Sequence, residues 1–196
     1  MTSAPRGTLD FRFGGRLSLD LVWTLAQRSW APAELLATPP ALARWLVAAG
    51  LLDQAPPVPA ELLSQARMLR EAIHRAVRAR VAQTALPAAD LTVINQQAQQ
   101  PPLVPQLTAD GHLARTAAEP AAAALATVAW DAVDLVANAD PGRLRECARS
   151  GCSLLFLDTS RPGRRQWCSM ASCGSAVNSS RYRMSKEAPP AEDAGA

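Results

Sequence analysis

Aromatic side chains are scarce in this sequence, 5% of 196 residues, and five of the nine are Trp, a residue that more often anchors packing than marks a function. Histidine is scarcer still: only His74 and His112 occur, both far from any cysteine. No nucleophile has a base beside it, and no glycine-rich run could cradle a phosphate, so nothing points to an enzyme and no catalytic residue is assigned. Long apolar runs are missing as well. The most apolar stretch, Ala121 to Trp130, stops at Asp131, too short for a bilayer. The first twenty residues are broken by Asp10, Arg12, Arg16 and Asp20, which leaves no signal-peptide core. The expectation is a soluble, cytoplasmic chain with no membrane partner.

Hydrophobic residues nevertheless make up 48% of the chain, dominated by alanine, and this composition favours a helical core. Leu17, Leu19, Leu21, Val22 and Leu25 recur at helical spacing and predict a first helix running to about Gln27. Thr38-Pro39-Pro40 reads as an N-cap with helix-starting prolines, followed by the stripe Leu42, Trp45, Leu46 and Ala49 up to Gly50. The strongest periodicity is Leu62, Ala66, Leu69, Ile73, Val77 and Val81, stepping by four and three. A shorter helix is expected over Pro87 to Gln99. Leu103 to Leu107 and Leu113 to Thr116 flank Ala109-Asp110-Gly111 as a two-stranded ribbon, and Glu119 to Ala139 forms a last helix, stopped by Asp140-Pro141-Gly142. The predicted fold class is mainly α: a helical domain with a small β-hairpin over residues 1–140, a small separate module over 141–187, and a disordered tail over 188–196.

Charge divides the same way. Residues 1–140 hold 11 arginines against 12 acidic residues, a net of −1; residues 141–187 hold eight arginines and one lysine against three acidic residues, a net of +6. A basic small module beside a near-neutral large one suits a polyanionic partner.

All four cysteines fall inside that basic module, as Cys147, Cys152, Cys168 and Cys173, two close pairs separated by fifteen residues. Each pair can offer two thiolates from one tight turn while the intervening segment folds as a hairpin, the pattern of a structural Zn2+ site, so the module over 141–187 is expected to be a small treble-clef-like zinc finger. Gly151 and Gly174 lie beside ligands, where positive φ turns amides towards sulfur. About 45 residues cannot build an adequate core alone, and bound zinc supplies on the order of 10 to 16 kcal/mol of folding energy. The alternatives are two disulfides, unrelated buried thiols, an iron–sulfur cluster, or a catalytic zinc, the last disfavoured by the lack of a nearby histidine.

The residues Cys147-Ala148-Arg149-Ser150-Gly151-Cys152, Leu155-Phe156-Leu157-Asp158-Thr159-Ser160-Arg161, Arg164-Arg165-Gln166-Trp167-Cys168-Ser169-Met170 and Cys173-Gly174 together resemble the bacterial CGNR zinc-finger family. The stretches Leu19-Asp20-Leu21-Val22, Glu34-Leu35-Leu36-Ala37-Thr38-Pro39, Trp45-Leu46, Ala49-Gly50-Leu51 and Leu69-Arg70-Glu71-Ala72-Ile73 resemble its partner, the ABATE domain. The resemblance implies a stress-linked transcriptional regulator, whose helical domain senses a small-molecule ligand or forms a homodimer and whose zinc finger contacts DNA. Two positions depart from the pattern. The signature Asn and Arg after Cys-Gly are here Ser175 and Ala176, and the Asn expected after Leu-Val is Trp23, a bulky group where a ligand cleft would lie.

Candidate phosphate contacts are Arg164, Arg165, Arg181, Arg183 and Lys186, with Arg161 in the same loop as the first two. A solvated basic face is the bland alternative. Trp23 and Arg70 are the candidate ligand contacts, although an internal ion pair is the commoner explanation for an arginine at the edge of the apolar stripe, as Arg70 is. A DNA-binding regulator and a protein-interaction adaptor with a purely structural zinc module both remain open.

Overall fold

Among the described residues, leucine, valine and alanine at helical spacing build five α-helices ahead of the cysteine region: α1 (Leu17–Val22), α2 (Pro39–Ala48), α3 (Ala60–Val81), α4 (Ala88–Ala98) and α5 (Pro120–Asn138). The structure is a computed structural model that describes residues 11–28 and 30–180. Arg181, Arg183, Lys186 and the tail expected to be disordered lie outside the described residues.

The central element is α3. Its stripe of Leu62, Ala66, Leu69, Ile73 and Val77 is buried, and it packs against α1, α4 and α5. Helix α5 is 19 residues, about 28 Å, and by length and composition alone could cross a membrane. Here its Leu125, Val128, Ala129, Ala132 and Leu135 are covered by neighbouring helices, so it serves as a core helix. It also completes α1. The N-cap Arg16 offers no capping side chain, and Asp131 of α5 instead accepts from the Ser18 backbone N–H at 2.9 Å and the Ser18 hydroxyl at 2.5 Å. Arg16 in turn reaches the Asp131 carboxylate at 3.2 Å and Asp134 at 2.9 Å. Two otherwise orphaned features, an uncapped helix start and a buried-side carboxylate, thus satisfy each other.

Helix α1 is shorter than its periodicity predicts. It stops at Val22, where the Thr24 hydroxyl takes the Leu21 carbonyl at 2.6 Å, and the chain continues as β1 (Leu25–Ala26), paired antiparallel with β2 (Ala33–Glu34). The reason is tertiary. The ribbon delivers Glu34 to Arg70 of α3, whose guanidinium meets both Glu34 oxygens at 2.6 and 2.7 Å and Glu71 at 2.8 Å.

The second ribbon forms at the expected place, β3 (Val104–Leu107) against β4 (Leu113–Thr116), with Gly111 at φ +82 in its turn. Both strands lie on the surface. The third, β5 (Leu144–Glu146) against β6 (Leu155–Leu157), opens the cysteine module. Its Leu144, Leu154, Leu155 and Phe156 belong to the same buried cluster as α1, α3 and α5, so one apolar core runs from the helices into the module.

Candidate metal centre

Strands β5 and β6 place the first pair of cysteines. The ladder continues past the strands with Cys147 N–H donating to the Leu154 carbonyl at 3.0 Å, and the chain turns between them through Gly151, at φ +77, with Cys152 N–H on the Arg149 carbonyl. The hairpin therefore carries the first knuckle at its tip. This corrects the expectation of a hairpin in the segment between the two pairs, which instead runs as a loop after β6.

That loop is held by an acid at its centre. Asp158 is buried, accepts from the backbone N–H and hydroxyl of Ser160 at 2.9 and 2.6 Å and from Arg165 N–H at 2.8 Å, and its carboxyl is lowered to about 2, the Ser160 hydroxyl being the main cause. Arg143 and Arg145 of the β5 side clamp the same loop through the carbonyls of Ser160 and Gly163.

The second pair sits at the start of the terminal helix. Ser169 caps it, accepting from Ser172 N–H at 3.3 Å, and a π-turn over Met170–Gly174 leads into α-helix from residue 175 to residue 180. The wide turn brings Cys173 back over Cys168, with their sulfurs 3.6 Å apart. Gly174 is not in the left-handed region; what its lack of a side chain provides is room, because a Cβ there would lie 2.9 Å from the Met170 sulfur and 3.1 Å from the Trp167 ring.

All four Sγ atoms lie within 4.8 Å of one another, and three of the cysteines are buried. The shortest gaps, 3.6 and 3.8 Å, are far from the roughly 2.05 Å of a disulfide. They suit a tetrahedron of thiolates, in which ligands about 2.3 Å from one ion stand about 3.8 Å apart. The thiols also compete for protons. Burial pushes Cys147 up, its contact with Cys152 and then burial push Cys168 up, and Cys152, accepting from Cys168, is pulled down to about 5. A single cation can replace those shared protons, and the donor set fits a metal without any other ligand.

Two arginines face this sulfur cluster from opposite parts of the chain. Arg149, within the first knuckle, points Nη1 at Cys173 Sγ at 3.8 Å, and Arg12 points Nη2 at Cys168 Sγ at 4.0 Å while donating to the Ser172 hydroxyl at 2.7 Å. Arg12 also lies over the Trp23 ring, 5.7 Å from its centre, and Trp23 is nearly buried, its indole N–H on the Leu155 carbonyl at 2.7 Å. On the far side of the knuckle the Trp30 indole N–H donates to the Gly151 carbonyl at 3.0 Å. Neither Arg12 nor Trp30 carries a spacing signal, since their partners lie more than a hundred positions away; Arg149, inside the Cys-x4-Cys turn, was within reach of the sequence.

The remaining candidates scatter. Arg164 is exposed in the loop. Arg165 is committed inward, stacked 4.8 Å from the Phe156 ring centre and donating to the carbonyls of Trp167 and Cys168. Arg70, 3% exposed, is matched inside the chain by Glu34, Glu71 and the Thr24 hydroxyl, which accounts for it as an internal ion pair and removes the ground for a ligand role. Trp23 does line a cavity of about 410 Å3, between the β1–β2 ribbon and the first knuckle.

A helical core continuous with a four-cysteine treble clef defines a metal-binding protein of the zinc-finger class. The chain belongs to the ABATE family, described as "Putative stress-induced transcription regulator", whose family model matches residues 15–139; the CGNR zinc finger model matches residues 143–186. No protein of curated function matches it.

Proposed function

We propose that the protein is a zinc-stapled transcription regulator whose C-terminal module contacts duplex DNA. For the metal, the observation that carries the reading is the mutual 4.8 Å limit of the four sulfurs, which has room for one ion rather than a multi-iron cluster. Four protein thiolates fill a zinc tetrahedron and leave no open position for substrate, so the metal's role is structural. A reducing compartment such as the cytoplasm keeps such thiols available.

For DNA, the support is the net charge of +6 gathered over residues 141–187. With Arg165 engaged inside the module, the phosphate-facing set is Arg161 and Arg164 in the loop, joined by Arg181, Arg183 and Lys186. Ser175 stands where the family signature has Asn, and its hydroxyl is turned back onto the Ala171 carbonyl at 2.7 Å. Together with Ala176 in place of Arg, this points to modest affinity. A salt series on mixed-sequence duplex DNA tests the reading: the zinc-loaded chain should show a linear fall of log affinity with log salt, and Arg164→Ala should flatten the slope by about one unit. Absence of any salt-dependent binding at low ionic strength overturns it and leaves the adaptor reading, in which the zinc module only shapes a protein-binding surface.

A further inference from the structure

We infer that the cavity between the β1–β2 ribbon and the first knuckle is a binding site for a small aromatic carboxylate. Its volume of about 410 Å3 lies at the lower end of the range of small-molecule sites. Two indoles, Trp23 and Trp30, and the aliphatic Leu35 and Leu154 give it a flat apolar lining that matches a planar ring. Two guanidiniums, those of Arg12 and Arg149, stand at the same cavity.

Charge chemistry selects the acid. A guanidinium has five donors in a fixed fork. Arg149 gives one of them to Cys173 Sγ at 3.8 Å, and Arg12 gives Nη2 hydrogens to Ser172 and Cys168, which leaves N–H groups on each that a carboxylate can take as a pair. A second observation is independent of these. Ser153, 9% exposed and part of the cavity wall, has a buried hydroxyl with no hydrogen-bond partner among the described residues. An unmatched buried hydroxyl is destabilising, and a carboxylate oxygen would satisfy it. A phosphodiester would bring charge to the cavity but nothing to cover the indoles.

The site bridges the two matched segments. Ala26, Gln27 and Leu35 come from the helical part, Ser150, Gly151 and Cys152 from the knuckle, so an occupant touches both and its binding is coupled to how the finger is seated. This rests on the regulator reading and adds a ligand to it. The test contains no DNA, so its failure is distinct from a failure of DNA contact.

Calorimetric titration of the full zinc-loaded chain with benzoate, and in parallel with benzamide, reads the proposal. Saturable one-to-one binding of benzoate is expected, at least about tenfold tighter than benzamide. Arg149→Met and Trp30→Ala, at exposed side chains outside the apolar core, should each weaken benzoate about tenfold or more while about one zinc per chain is retained. No saturation up to about 10 mM, equal binding of the amide, or benzoate affinity unmoved by both substitutions overturns it.

Discussion

Single side chains at the sulfur cluster set how firmly a metal is held. Four thiolates around a divalent ion carry a net of about −2, and Arg12 and Arg149 supply the opposite charge from 4.0 and 3.8 Å. Replacing either with Met should leave about one zinc per chain but speed its transfer to a competing chelator roughly fivefold, the equivalent of one charge-assisted hydrogen bond of about 1 kcal/mol. Unchanged transfer kinetics in both variants would remove the arginines from the account. Two other groups oppose each other in acid. Burial raises Asp20 to about 6, and burial lowers His74 to about 4. A raised carboxyl favours the folded state as pH falls from about 6 towards 4, whereas a lowered imidazole disfavours it from about 6.5 towards 4. Asp20→Asn, which keeps the acceptor for Gly14 N–H, should therefore lose stability more steeply than the parent between pH 7 and 5, by about 1 kcal/mol in denaturant titrations. His74→Gln should lose it less steeply.

Among the elements, the β1–β2 ribbon is the one that local periodicity concealed. Its job is to carry Glu34 against Arg70, and Glu34→Ala leaves a buried guanidinium with only Glu71 and the Thr24 hydroxyl. Unfolding free energy should fall by about 3 kcal/mol, while Arg164→Ala, at an exposed site, should barely change it. The helices α2 to α5 were legible because four-and-three spacing is written locally, as were the ribbon around Gly111 and the two cysteine pairs. What decides the bounds of α1 is only partly local: the Thr24 hydroxyl closes its end on the Leu21 carbonyl three residues back, but its start is capped by Asp131 and the turn that follows it serves the pairing of Glu34 with Arg70, both far along the chain. The position of the third hairpin was equally hidden: a Cys-x4-Cys turn can sit at a hairpin tip or before one, and only the pairing of Leu144 with Leu157 distinguishes them.

At the scale of the whole molecule, the cysteine module does not hang from the helices as an appendage. Leu155 and Phe156 are buried in the helical core, Trp23 bonds the Leu155 carbonyl, and Arg12 reaches across to Cys168. The +6 of the module was readable as a total but not as a surface, because Arg143, Arg145 and Arg165 turn inward to hold its loop. Removing the metal should therefore loosen not only residues 141–180 but also α1, in hydrogen exchange. The cysteine module depends on one ion held by four sulfurs, and elemental analysis of the chain purified under reducing conditions addresses this most directly. The account predicts about one equivalent of zinc per chain, falling below half an equivalent in Cys168→Ser. Less than half an equivalent in the parent protein, or full zinc retained by Cys168→Ser, would contradict it.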